Sequence, residues 1–339
     1  MFFTYIFVCI VLLIFIDFLV SHLYYHRSLR ATITERVIWL IPTRMKFKGS
    51  AEDFEARMQK YESMGEQLYT IPEKVRFDCS VKEKHEYGMQ VFYLNQESTS
   101  DRILFYIHGG GNCEQPSEHH WKFINNMIKK TGVKVVAPLY PLLPFHDYHD
   151  TFPAITDLYM AVVKKNEGCK VILSGDSAGG GMALAIAEDL LKLDFPQPDE
   201  LILISPFVES LYSEENAKVI EKYEKVCPFI NTSGCIPLVK RWAGSEEERG
   251  DYHVSPIRGD MVGIGKTTIF TGTREAFYPL EEELYAKLTK AGVDTKLVVG
   301  RGLNHVFPIL INPEGRKAQG QIADIILRNG SGTENLFSA

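Results

Sequence analysis

A chain of 339 residues, 45% hydrophobic and 24% charged, is long enough for one large globular domain with additions and too apolar to be disordered. Its net charge of −6, with no basic patch interleaved with aromatics, gives no basis for nucleic-acid binding. The six cysteines (Cys9, Cys79, Cys113, Cys169, Cys227 and Cys235) lack metal-ligand spacing; Cys227 and Cys235 could bridge, but free thiols and a reducing compartment are the reading taken.

From residue 2 to 20 nearly every side chain is apolar, Thr4 and Asp17 excepted. Such a helix spans about 28 Å, enough for a bilayer core. It has neither a basic start nor a small-residue cleavage site, so an uncleaved single-pass anchor over residues 1–22 is expected rather than a signal peptide. Tyr24 and Tyr25 suit an interfacial belt. The cations Arg27, Arg30, Arg36, Arg44, Lys46 and Lys48 follow the span, which favours the cytoplasmic side for the rest of the chain.

Residues 31–67 read as helical and as a cover over the site. Residues 75–78 and 90–94 read as early strands. Residues 102–107 (Arg-Ile-Leu-Phe-Tyr-Ile) read as a buried strand that runs into His108-Gly109-Gly110-Gly111. Glycines there let backbone N–H groups point into a cavity, where an oxyanion can be held.

Residues 170–174 (Lys-Val-Ile-Leu-Ser) read as a strand, and 180–187 as a helix of small residues packed closely on the sheet. Between them lies Gly175-Asp176-Ser177-Ala178-Gly179. A serine at such a strand-to-helix turn is held strained and exposed, as a nucleophile must be. A serine hydroxyl needs a base, and the base needs an acid to orient it. Asp176 reads as structural, accepting backbone hydrogen bonds at the turn.

Residues 201–204 read as the next strand. An insertion over residues 207–252 follows, helical at 214–223 and 234–242. Residues 267–270 read as a strand leading to Glu275. A helix over 279–290 and a strand over 295–299 come next, then the loop Gly302-Leu303-Asn304-His305-Val306-Phe307 and a last helix over 314–327. Glu275 and His305 thereby fall at adjacent strand ends, in the chain order serine, acid, histidine. Alone, each motif has an ordinary explanation: a turn, a surface histidine, a helix-start charge. Together, four elements in order, each at the end of its own strand, point to nucleophilic acyl transfer.

In its His108–Gly111 loop, its Gly175–Gly180 turn (GDSAGG) and its Gly302–Phe307 segment, the chain resembles the hormone-sensitive-lipase-like carboxylesterases. The resemblance covers roughly residues 102–327. It implies an α/β-hydrolase fold, a mostly parallel central sheet flanked by helices, with a helical cap built from about 31–67 and 207–252. It implies Ser177 as nucleophile, His305 as base, Glu275 as acid, and an oxyanion hole from Gly109, Gly110 and Ala178. The chain departs from the family pattern in three places. Glu275 stands where Asp is usual, with Glu281 to Glu283 as less well placed alternatives. The segment Pro138-Leu139-Tyr140-Pro141-Leu142-Leu143-Pro144 is recast. Asn112 replaces a large aromatic.

The expected domain therefore covers residues 23–328, with a disordered polar tail over 329–339. The expected activity is hydrolysis of short to medium acyl esters, with no cofactor and no metal. His119-His120 and His146-Asp147-Tyr148-His149-Asp150 read as loop and surface groups near the pocket mouth. The same triad could cleave an amide, as a deacetylase does, and the same fold can serve as a small-molecule binding module; an intact His305 argues against the latter. The expected partners are a small ester and, through the first helix, the membrane.

Overall fold

The computed structural model describes residues 2–41 and 47–328; the tail expected at 329–339 lies outside them. Eight strands form one sheet: β1 (Val81–Glu86), β2 (Met89–Leu94), β3 (Arg102–Ile107), β4 (Lys134–Leu139), β5 (Lys170–Asp176), β6 (Glu200–Ile204), β7 (Thr267–Arg274) and β8 (Thr295–Asn304). Their order is β1-β2-β4-β3-β5-β6-β7-β8. β2 is antiparallel to β1 and β4, and every other pairing is parallel.

The central strands are apolar on both faces because both faces are covered. In β3, Ile103, Phe105 and Ile107 enter one core while Leu104 and Tyr106 enter the other. In β6, Leu201 and Leu203 are divided from Ile202 and Ile204 in the same way. One core is closed by α5 (Tyr148–Lys165), α6 (Ala178–Lys192) and α9 (Tyr278–Lys290), the other by α4 (Glu118–Thr131) and α10 (Pro313–Leu327).

Residues 75–78 are not a strand. Val75 closes a turn on Pro72 and is buried, and Phe77 packs edge-on to Trp121. The true edge strand, β1, is Val-Lys-Glu-Lys-His-Glu, largely exposed and without an apolar face. It is held by backbone pairing to β2 across the two-residue turn Tyr87-Gly88, both with positive φ. An exposed, charged edge is also what discourages pairing with other chains.

The helical reading of 31–67 divides into α2 (Leu29–Leu40) and α3 (Ala51–Met64), which starts on a Ser50–Asp53 capping box. Phe47 bridges Ile230, and α3 packs on α8 (Thr232–Ala243) in the insertion after β6, which also holds α7 (Glu214–Glu224).

The first helix, α1 (Phe2–Leu23), contains a 19-residue stretch of mean hydropathy 2.7, long and apolar enough to cross a membrane. Most of its described apolar side chains are exposed, with Phe18 and Leu19 half-buried. Just beyond it the chain locks onto the domain. Buried Arg27 pairs with buried Glu35 and donates to the Gly302 carbonyl at 2.8 Å; Arg274, at the end of β7, donates to Glu35 at 2.8 and 3.0 Å.

Candidate active site

β5 ends at Asp176 and α6 begins at Ala178, so Ser177 alone makes the turn. Its φ of 53° and ψ of −120° are costly for a residue with a Cβ. Three backbone bonds hold it there. Its N–H donates to Ile204 at 2.8 Å, and its carbonyl accepts from Phe207 at 2.9 Å and Gly181 at 3.1 Å. Only glycine fits beside it: a Cβ on Gly179 would lie 2.3 Å from the Ile107 carbonyl oxygen.

The Ser177 Oγ lies 2.9 Å from Nε2 of His305, and His305 Nδ1 lies 2.6 Å from Oε2 of Glu275. His305 and Glu275 are buried. The structure thus brings together the three residues singled out by motif and order, on three different loops after β5, β7 and β8. The last strand runs to Asn304, past the expected end at 299, and so delivers His305 from a strand end rather than from the middle of a loop.

Glu275 is fixed by more than the histidine. Its Oε1 accepts from Thr271 Oγ1 at 2.8 Å, from Ser205 Oγ at 3.1 Å, and from the Gly272 N–H. Ser205 also accepts the Val306 N–H at 3.0 Å, so one hydroxyl ties Glu275 to the residue after His305. Ser205 was not singled out from the sequence, which marks it only as the first residue past β6, followed by Pro206.

The glycine loop corrects one expectation. The Gly109 N–H donates to Asp176 Oδ1 at 2.9 Å, and a Cβ there would stand 2.4 Å from Asp176 Oδ2. That N–H is engaged within the protein and is not free for an oxyanion. Gly111, with φ +58°, lines the cleft together with Ser177 and Ala178. Asp176 also accepts from Tyr106 at 2.6 Å and faces His120 Nε2 at 3.3 Å. Burial works against its charge, but His120, Tyr106 and Gly109 outweigh it and hold the carboxyl below its ordinary range. The structural reading of Asp176 therefore agrees with its contacts.

His120 is likewise not a surface group. It is buried, and its Nδ1 faces Ser117 at the start of α4. The apolar spacing of α4, with Trp121, Ile124 and Ile128 turned inward, carries His120 in with them. His108 stacks on Tyr140 with ring centroids 4.5 Å apart, and burial, first, then the neighbouring His120, drop it to about 4. It is a neutral wedge under the loop.

The cleft above Ser177 holds a cavity of about 50 Å³ and opens to solvent. Its walls are mostly apolar: Phe47, Phe207, Ile230, Leu238, Trp242 and Phe277 among them, with Asn112 beside the glycine loop. Such a lining suits an apolar group attached to a polar reacting centre. Cys227 and Cys235 are buried free thiols. Among the described residues, no cluster of three or more His, Cys, Asp or Glu is arranged to hold a metal ion.

Comparison with known proteins gives the family. Over 240 residues the chain is 25% identical to an esterase of Acinetobacter venetianus, covering 70% of this chain and 78% of that one. Over 159 residues it is 24% identical to the hormone-sensitive lipase of Mus musculus, covering 45% of this chain and 21% of that one. A solved protein from Staphylococcus aureus superposes with a TM-score of 0.78 at 27% identity, covering 86% of this chain and 98% of that one. These likenesses bear out the resemblance carried by the glycine loop and the GDSAGG turn. A family model described as the alpha/beta hydrolase fold matches residues 104–309, from β3 through the loop that bears His305. With that span, strand order and serine turn, the chain belongs to the α/β-hydrolase fold family.

Proposed function

We propose that the protein is a serine carboxylesterase acting on short to medium acyl esters. The observation that carries this reading is the unbroken hydrogen-bonded series from Ser177 through His305 to Glu275, opening on an apolar cleft. His305 takes the Ser177 proton as Oγ attacks the ester carbonyl. Glu275 fixes the imidazole by its Nδ1 and stabilises the imidazolium that forms. The alcohol leaves with the proton from His305. Water, deprotonated by the same nitrogen, then releases the acid.

The oxyanion is held by backbone N–H groups of Gly110, Gly111 and Ala178. Gly109 keeps the loop against the serine turn through Asp176. One such donor is worth about 2.7–4 kcal/mol of barrier. Residues of the 31–67 and 207–252 segments act as the cap: Phe47, Ile230, Leu238 and Trp242 form the wall that receives the acyl group. The domain runs from 23 to 328, and α1 anchors it to a membrane with the hydrolase on the cytoplasmic side. Support for this comes from the length, hydropathy and exposure of α1 and from the cations that follow it.

Labelling with a fluorophosphonate, followed by peptide mass analysis, tests the reading. The adduct is expected on the peptide bearing Ser177 and lost in Ser177→Ala. An active enzyme that carries no adduct at Ser177 would overturn it.

A further inference from the structure

Behind the acid lies a second carboxyl that the triad does not use. Glu281 sits in the first turn of α9 and is fully buried, as are Glu275 and Thr271. The Thr271 hydroxyl is within hydrogen-bonding distance of both: 2.8 Å from Glu275 Oε1, and in short contact with Glu281 Oε2. A hydroxyl has one hydrogen to give, and an ionised carboxylate has none. If Thr271 donates to Glu275, the contact with Glu281 is a hydrogen bond only when Glu281 is the donor.

The surroundings decide which carboxyl carries the proton. Glu275 receives Ser205, Thr271, the Gly272 N–H and His305, donors enough for a charge. Glu281 receives no comparable set, and its Oε1 has no donor among the described residues. A first-turn position on a helix favours a carboxylate in solvent, but here the side chain is turned inward, away from water.

We propose that Glu281 is an un-ionised acid that donates to Thr271 Oγ1, and that Thr271 in turn donates to Glu275, making Glu281 a positioning residue behind the triad. Burial, first, and then the adjoining Glu275 charge push the Glu281 carboxyl well above the usual carboxylate range, in keeping with this. The arrangement gives Glu275 a fixed rotamer and directs its second oxygen at His305. A Glu side chain has one more torsion to restrain than an Asp, and the Thr271 bridge restrains it. The proposal rests on the reading of Glu275 as the triad acid.

The test uses the full chain in detergent, with infrared difference spectra of wild type against Glu281→Gln at neutral pH. A protonated-carboxyl C=O band is expected in wild type and is expected to vanish in Glu281→Gln. Taking the difference isolates Glu281 from other buried acids such as Glu188. Glu281→Gln should keep wild-type kcat, because its amide can donate to Thr271 as the acid did. Glu281→Leu should lower kcat by about 10- to 100-fold with KM little changed, through a misplaced Glu275. Absence of the band, or a Gln variant as impaired as the Leu variant, would overturn the proposal. Glu275→Gln separates the two readings: full activity there would sink Glu275 as the acid, while the infrared band still decides the state of Glu281.

Discussion

Asp176 Oδ1 accepts the N–H of Gly109 at 2.9 Å, so the residue before Ser177 holds the loop that faces it. The serine turn after β5 and the glycine loop after β3 are thereby one rigid unit, pinned further by Tyr106 and His120. Asp176→Ala would strand three buried donors, each costing about 1–3 kcal/mol. The expected result is a lower unfolding midpoint and a kcat reduced far more than KM is raised. The sign of the pH effect follows from the depressed acid. Its contribution is full above the ordinary aspartate value of about 3.9 and is lost as the pH falls below that. Thermal melts from pH 6 down to 3 should therefore converge for wild type and variant.

Glu188 on α6 gives the opposite slope. Both its oxygens are buried without a partner, and a Cβ on Gly259 would collide with it. Burial raises it to about 9 despite Lys287 and Lys192 nearby. A raised carboxyl stabilises the fold fully below its unfolded value and loses that contribution as the pH climbs to about 9. Glu188→Gln should match wild type at pH 4–5 and melt higher than wild type above pH 9. Denaturation at the two pH extremes checks this.

The buried Arg27–Glu35–Arg274 network lies next to Glu275 in the chain, and Arg27 also holds Gly302, three residues before His305. Removal of residues 1–20 leaves the network intact and should give an active enzyme that no longer sediments with membranes. Removal of residues 1–30 deletes Arg27 and leaves Glu35 with less compensation in a buried site. A loss of about 3–5 kcal/mol follows from breaking such a pair. Paired measurements of activity and melting temperature distinguish the two truncations.

The cleft wall should set acyl length. Phe47 is half-buried, lines the cleft, and stands within 3 Å of where a Cβ on Gly111 would be. Phe47→Ala removes a ring from the acyl wall without opening the main core. The ratio of kcat/KM for decanoyl over butyryl esters should rise. An unchanged ratio would place the acyl group elsewhere.

Much of this site was legible in the sequence because its parts are local. Ser177 is marked by the glycines that its turn requires, and His305 and Glu275 by their places after apolar strands. What the sequence did not reveal depends on distance. Ser205 and Thr271 are ordinary residues until the sheet sets them beside Glu275. Gly109 looks like an oxyanion donor until Asp176, 67 positions on, takes its N–H. A central strand and an edge strand differ for the same reason. β6 announces itself as Glu-Leu-Ile-Leu-Ile, buried on both faces, whereas β1 is charged and exposed and exists only through its backbone pairing to β2. Val75 is apolar because it is buried in the core beneath α4, not because it belongs to a strand.

The most direct test of the central claim is hydrolysis of p-nitrophenyl butyrate by the chain lacking residues 1–20, beside its Ser177→Ala and His305→Ala variants, each shown to be folded. The account predicts that kcat falls by about 10⁴-fold or more in each variant, and that the double variant is no worse than either alone, because the two residues act as one unit. Full turnover by folded Ser177→Ala would contradict it.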